Sequence, residues 1–154
     1  MTQAPRDDNP TRSKVVEAVT SGRRNVPFDF NPALASLETQ LIESRGEELI
    51  LRFIVPHTAT QGNGVVSGGA LASMLDMAMA MVVLSRLKPG FTCATISLTV
   101  NMQTAGEEGH FVAVAGVDRM GRQIAFAHAK LFDAQGTRVI ANATSSLALI
   151  PVRP

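Results

Sequence analysis

Asp76 is the single ionisable side chain between Val66 and Ser85, in a stretch that otherwise reads as an apolar helix opened by Ser67-Gly68-Gly69. A carboxylate among Met74, Leu75, Met77, Ala78 and Met79 loses hydration on burial, and it costs stability unless something uses it. Two uses suit a carboxylate on a helix: taking a proton from water as a general base, or attacking a carbonyl carbon as a nucleophile. The start of the same helix offers the complementary group. Free N–H groups of a first turn, with the positive end of the helix dipole, suit an oxygen on which negative charge develops, and Gly68 lets a ligand approach the backbone closely. Eight residues at 1.5 Å each separate Gly68 from Asp76 by about 12 Å, so one helix does not bring both to a single carbonyl. A second chain would close that gap. The structural alternatives are an Asp76 that holds loop or strand N–H groups, and a Gly68-Gly69 pair that only forms a tight entry to the helix.

The composition bounds what such a site belongs to. With 154 residues, 45% hydrophobic and 18% charged, the chain has the size of one globular domain with a sizeable core. Fourteen basic against thirteen acidic side chains give a net charge of +1, and no run of like charge suggests a nucleic-acid or anionic-membrane partner. Cys93 is the one cysteine, which excludes an internal disulfide, and the polar start Met1 to Pro10 lacks the apolar core of a signal peptide. A cytoplasmic location is expected. The stretch Val65 to Leu84 approaches the length of a membrane span. Its glycines and serines near the start, and a carboxylate at its centre that would cost roughly 2.5–3.5 kcal/mol in a bilayer, favour a central helix surrounded by protein.

The elements that must position Asp76 follow from patterning. Residues Met1 to Arg12 read as loose, and Ser13 to Thr20 as a short helix with Val15, Val16 and Val19 on one side. Residues 1–32 are thus an amino-terminal tail and 33–152 the domain. Leu37 to Glu43, the turn Ser44-Arg45-Gly46, and Leu49 to Val55 predict a hairpin. A glycine-bearing loop from His57 to Ser67 leads into the long helix, which stops before Lys88-Pro89-Gly90. Four strands follow, at Thr95 to Met102, His110 to Val117, Gln123 to Phe132 and Val139 to Ile150, and their short separators predict a meander. Hairpin, helix and four strands imply one antiparallel sheet wrapped around one helix, an α+β architecture.

Several other chemistries fail on spacing. Gly62-Asn63-Gly64-Val65-Val66-Ser67 lacks the third glycine of a dinucleotide-binding turn and is not followed by alternating strands and helices. His57, His110 and His128 have no metal-ligand spacing and no G-x-S-x-G nucleophile to serve. Neither a metal nor a cofactor is expected.

The hairpin, the loop, the segment Ser67-Gly68-Gly69-Ala70-Leu71-Ala72-Ser73-Met74-Leu75-Asp76 and the strand Thr95-Ile96-Ser97-Leu98-Thr99-Val100-Asn101 together resemble the hotdog-fold acyl-CoA thioesterases, in particular the PaaI-like and 4-hydroxybenzoyl-CoA thioesterase group. The resemblance spans about residues 34–150. That family commonly writes His-Gly-Gly with an acid nine residues after the His; here Ser67 takes the His position and Asp76 the acid position. The resemblance implies Asp76 as base or nucleophile, Gly68 as backbone donor to the thioester carbonyl, Gln61 beside the thioester and Thr95 as holder of the attacking water. Ser67 and Gly69 would line the substrate site, and Ala80 stands where some members have a hydroxyl. Arg119 and Arg122 flank a tight turn near which the family often meets CoA phosphates. A homodimer or homotetramer with shared active sites is implied, in which the acid of one helix faces the Gly and Gln of its partner. The competing reading is a catalytically silent hotdog protein that binds acyl-CoA or an acyl group.

Overall fold

A computed structural model describes residues 9–152; the loose stretch expected before them, at 1–8, lies outside the described residues. The chain opens with α1 (Pro10–Ser21), one turn earlier than the valines alone predict. The cause is local: the Asn9 side chain accepts the Arg12 N–H at 3.2 Å, Pro10 fills the first turn, and Gly22 ends the helix in the left-handed region at φ 66. Val15 and Ala18 are buried in the same core as the sheet and the long helix. A two-residue strand β1 (Val26–Pro27) and a short helix α2 (Pro32–Ser36) follow. In α2 the Asn31 side chain caps Leu34 N–H at 2.9 Å, and the turn that closes α2, with Glu38 N–H donating to Ala35 O and Thr39 N–H to Leu34 O, takes residues 37–39 from the expected first strand and delays β2 to Gln40–Arg45.

The hairpin itself forms, β2 pairing antiparallel with β3 (Glu48–Val55) around Gly46 at φ 57. The long helix is α3 (Gly68–Leu84), followed by β4 (Phe91–Met102), β5 (Gly109–Met120), β6 (Ile124–Phe132) and β7 (Val139–Pro151). All seven strands lie in one sheet of order β1-β2-β3-β5-β6-β7-β4, and every neighbouring pair is antiparallel. The expected four-strand meander is therefore corrected to three strands, β5-β6-β7. β4 pairs with β7 at the far edge instead of with β5. The separator between β4 and β5 crosses the end of the sheet, past two strands and about 14 Å at the spacing of neighbouring strands, which six extended residues span. On the way the Gly106 carbonyl accepts the Val66 N–H at 2.8 Å, tying the crossing to the segment before α3.

α3 packs across β3 to β7. The sheet face it meets is built largely from Ala113, Ala115, Ala125, Ala127, Ala129, Ala141 and Ala143, all buried. Small side chains let the bulky residues of α3, Met74, Leu75, Met79 and Val82, fill the space between the layers. On β6 the larger apolar residues Ile124 and Phe126 consequently face outward. One stripe of α3 stays uncovered by the described residues: Gly69 and Ser73 are exposed, and Asp76, Met77 and Ala80 half-buried. The uncovered strand is β4, twelve residues long, free along one edge, with Ile96 57% and Met102 53% exposed. At the other end of α3, Arg12 is buried and its Nε donates to the Leu87 carbonyl at 2.7 Å. Among the described residues no helix is long and apolar enough to cross a membrane.

Candidate active site

The beginning of α3 is set by Ser67. Its backbone is extended (φ −64, ψ 148), and its hydroxyl oxygen accepts the Ala70 N–H at 3.2 Å, an N-cap. Its own N–H donates to the Ala59 carbonyl at 3.0 Å. Ser67, a candidate for substrate binding in the sequence, thus spends its side chain on ending the loop and starting the helix. With Ala70 and Leu71 bonded back to Ser67, the N–H groups of Gly68 and Gly69 remain as first-turn donors with no partner within the described chain. Gln61 lies beside them. Its backbone is fixed by Gln61 N–H to Val65 O at 2.7 Å and Gly64 N–H to Gln61 O at 3.2 Å, with Gly64 at φ 77 permitting the turn. Its side chain is exposed, and Gln61 and Gly68 line one groove of about 260 Å³.

The carboxylate sits on the other half. Thr95 Oγ1 donates to Asp76 Oδ1 at 2.7 Å, joining the middle of α3 to β4. The pairing of β4 with β7 slips between Thr95 and Ser97, and such an irregularity re-aims side chains locally. Asp76 is half-buried in the single chain, a correction to the full burial that its apolar neighbours suggest; it lies on the stripe of α3 that the described residues leave uncovered. Thr95, expected to hold a water, here holds the carboxylate itself. Cys93, two residues earlier on β4, approaches the Ala80 carbonyl with Sγ at 3.9 Å. Burial, helped by the charge of Asp76, pushes its thiol up to about 11, so it stays neutral at physiological pH.

The two halves do not meet within one chain. Gln61 and Gly68 share a groove from which Asp76 and Thr95 are absent, as the length of helix between them requires. Arg119 and Arg122 lie on a different part of the surface, in an open groove of about 530 Å³ with Gln123, Ile124 and Phe126. Arg122 also faces a second cavity of about 330 Å³ with Arg86, Lys88, Phe91 and Leu149. Sequence reasoning missed Arg86 and Lys88, which the turn after α3 carries to the same cavity, and Met102, whose side chain lies against Gly68. No local pattern marks Met102; only the crossing of β4 to the far edge brings it there. Two histidines pair with acids, His57 Nδ1 with Glu108 Oε2 at 2.8 Å and His128 Nδ1 with Asp118 Oδ1 at 2.7 Å. No cluster of three metal-ligating side chains occurs among the described residues.

This architecture is shared with known proteins. A candidate thioesterase from Ralstonia eutropha JMP134, described as a phenylacetic acid degradation-related protein, is 22% identical, with 90% of this chain and 98% of that one covered and a TM-score of 0.75. A thioesterase family protein from Silicibacter pomeroyi is also 22% identical, over 91% of this chain and 98% of that one, with a TM-score of 0.76. A thioesterase from Haemophilus influenzae is 18% identical over 81% and 87%, with a TM-score of 0.74. No curated protein matches the chain. The sheet wrapped on one helix is the hotdog fold, and the profile of the thioesterase superfamily matches residues 63–140, a span that includes Gly68, Asp76, Thr95, Arg119 and Arg122. The chain belongs to the thioesterase superfamily.

Proposed function

We propose that this protein hydrolyses acyl-CoA thioesters to the free acid and CoA, with Asp76 activating water or attacking the thioester and the Gly68 N–H polarising its carbonyl. The single observation that carries this reading is the Thr95–Asp76 hydrogen bond. It fixes one carboxylate oxygen and leaves the other available on an uncovered face of α3. A thioester is already electrophilic, so the remaining requirements are this carboxylate and a donor where negative charge develops. The first-turn N–H of Gly68 is such a donor. Gln61, beside it in the groove, supplies a further amide to hold the thioester. Arg119 and Arg122 meet the CoA phosphates, far from the bond that breaks.

Because Gly68 and Asp76 are about 12 Å apart on one helix, a complete site takes the acid from one chain and the Gly68–Gln61 groove from another. The stripe of α3 that holds Asp76 and the free edge of β4 support such a pairing: apart from Asp76 neither carries a charge, both adjoin Asp76, and a long free edge is a template for another strand. A cytoplasmic homodimer or homotetramer is the assembly this reading requires. The silent acyl-CoA binder remains the second reading, because the site has Ser67 and Ala80 where relatives of this fold can carry His and a hydroxyl. The test is turnover of a panel of acyl-CoAs by the wild type and by Asp76→Asn. We expect a loss of about 10²–10⁴-fold with acyl-CoA binding retained. Equal turnover by the two proteins removes Asp76 from the reaction; no turnover by wild type, with binding, establishes the silent binder.

A further inference from the structure

The groove at the start of α3 has a movable wall. A methyl group on the Cα of Gly68 would stand 2.9 Å from Cε and 3.1 Å from Sδ of Met102, so the thioether of the last residue of β4 lies directly on the glycine that opens α3. Met102 is nevertheless 53% exposed, covering the glycine from the solvent side. The groove beside it holds about 260 Å³ and is lined by Gln61, Val65, Leu71, Met102 and their neighbours, with no charged side chain among them. The cations gather elsewhere: Arg86, Lys88 and Arg122 share another cavity.

We propose that this groove receives the acyl end of the thioester and that Met102 sets the size of acyl group accepted, favouring compact groups, a short chain or a single ring. The inference rests on reading Gly68 as the donor to the thioester carbonyl. A carbonyl at that N–H carries two substituents, the acyl carbon and the sulfur. An uncharged groove with an apolar wall suits the first; the second leads to phosphates, which need cations. The groove is open to solvent in the single chain, so the limit on acyl length at the Gly68 N–H comes from the Met102 thioether standing over that glycine, which a long chain has to displace. Methionine is unbranched and flexible, and the selection is therefore graded by length.

The test is kcat/KM for acetyl-, butyryl-, hexanoyl-, decanoyl- and benzoyl-CoA with wild type, Met102→Ala, Met102→Phe and the volume-conserving Met102→Leu. We expect Met102→Ala to raise the decanoyl-to-butyryl ratio about tenfold or more, Met102→Phe to lower hexanoyl and benzoyl turnover by a similar factor relative to acetyl, and Met102→Leu to keep the wild-type profile. Unchanged profiles in Met102→Ala and Met102→Phe, with an active wild type, overturn the inference and leave the proposed hydrolysis standing. Should the wild type bind without turnover, calorimetric affinities for the same series read the same ratios: the shift upholds the role of Met102 while hydrolysis falls, and no shift overturns both. A protein that neither hydrolyses nor binds any member also overturns both.

Discussion

A threonine hydroxyl that donates to one oxygen of Asp76 does two things at once: it fixes the rotation of the carboxylate and spends one of its lone pairs. Removing that donor should leave the acid present but less well aimed. Hydrogen bonds to charged groups contribute about 1.5–3 kcal/mol, so Thr95→Ala is expected to lower kcat about 10- to 100-fold while Thr95→Ser, which keeps the hydroxyl, stays near wild type. Steady-state kinetics on the best acyl-CoA checks this, and equal kcat in Thr95→Ala would assign the hydroxyl to structure. Asp76→Asn should fold as well as wild type, since the side chain is half-buried and an amide still accepts from Thr95; its melting temperature is expected to be unchanged or higher. A large fall would mean that the carboxylate holds the fold.

The loop-to-helix junction makes the case at the level of elements. Ser67 caps α3 through Ala70 N–H, and loss of such a cap costs about 1 kcal/mol, or roughly 2–4 °C in a chain near this size. Ser67→Ala should show that shift in calorimetry, together with a fall in kcat/KM as the first turn carrying Gly68 loosens; activity lost with no change in melting would instead place the hydroxyl on the substrate. The helix itself was legible from its Ser67-Gly68-Gly69 opening, its apolar run with one charge and the following Lys88-Pro89-Gly90, because those are local signals. So was the hairpin around Gly46. The edge position of β4 was not, since a six-residue separator can close a hairpin or cross the end of a sheet, and only the packing of α3 against the alanine face decides which. The same limit applied to the site. The lone carboxylate and the helix opening pointed to Asp76 and Gly68, the family resemblance added Thr95 and Gln61, and the structure joins them in two pairs, Asp76 to Thr95 and Gly68 to Gln61; the contact of Met102 with Gly68 depends on a long-range register that no local pattern carries.

For the molecule as a whole, the proposed site exists only between copies. Mixing and refolding an Asp76→Asn chain with a Gly68→Asp chain should restore part of the activity, because one of the two sites in a mixed dimer receives both intact groups. Native mass spectrometry verifies the mixed species. Their presence without recovery would place each site within one chain.

The bond from Arg12 to the Leu87 carbonyl also bears on where this protein can be cut. The superfamily profile begins at residue 63, and the domain read from sequence begins at 33, so a laboratory fragment of residues 33–152 is the natural choice for crystals or display. That fragment would discard α1, empty the places of Val15 and Ala18 in the core, and leave a buried carbonyl without its donor. We expect it to melt several degrees below the full chain, or to aggregate. An unchanged transition in the shorter fragment would show α1 to be an appendage. The shortest piece that resembles the family is, on this account, shorter than the shortest piece that folds.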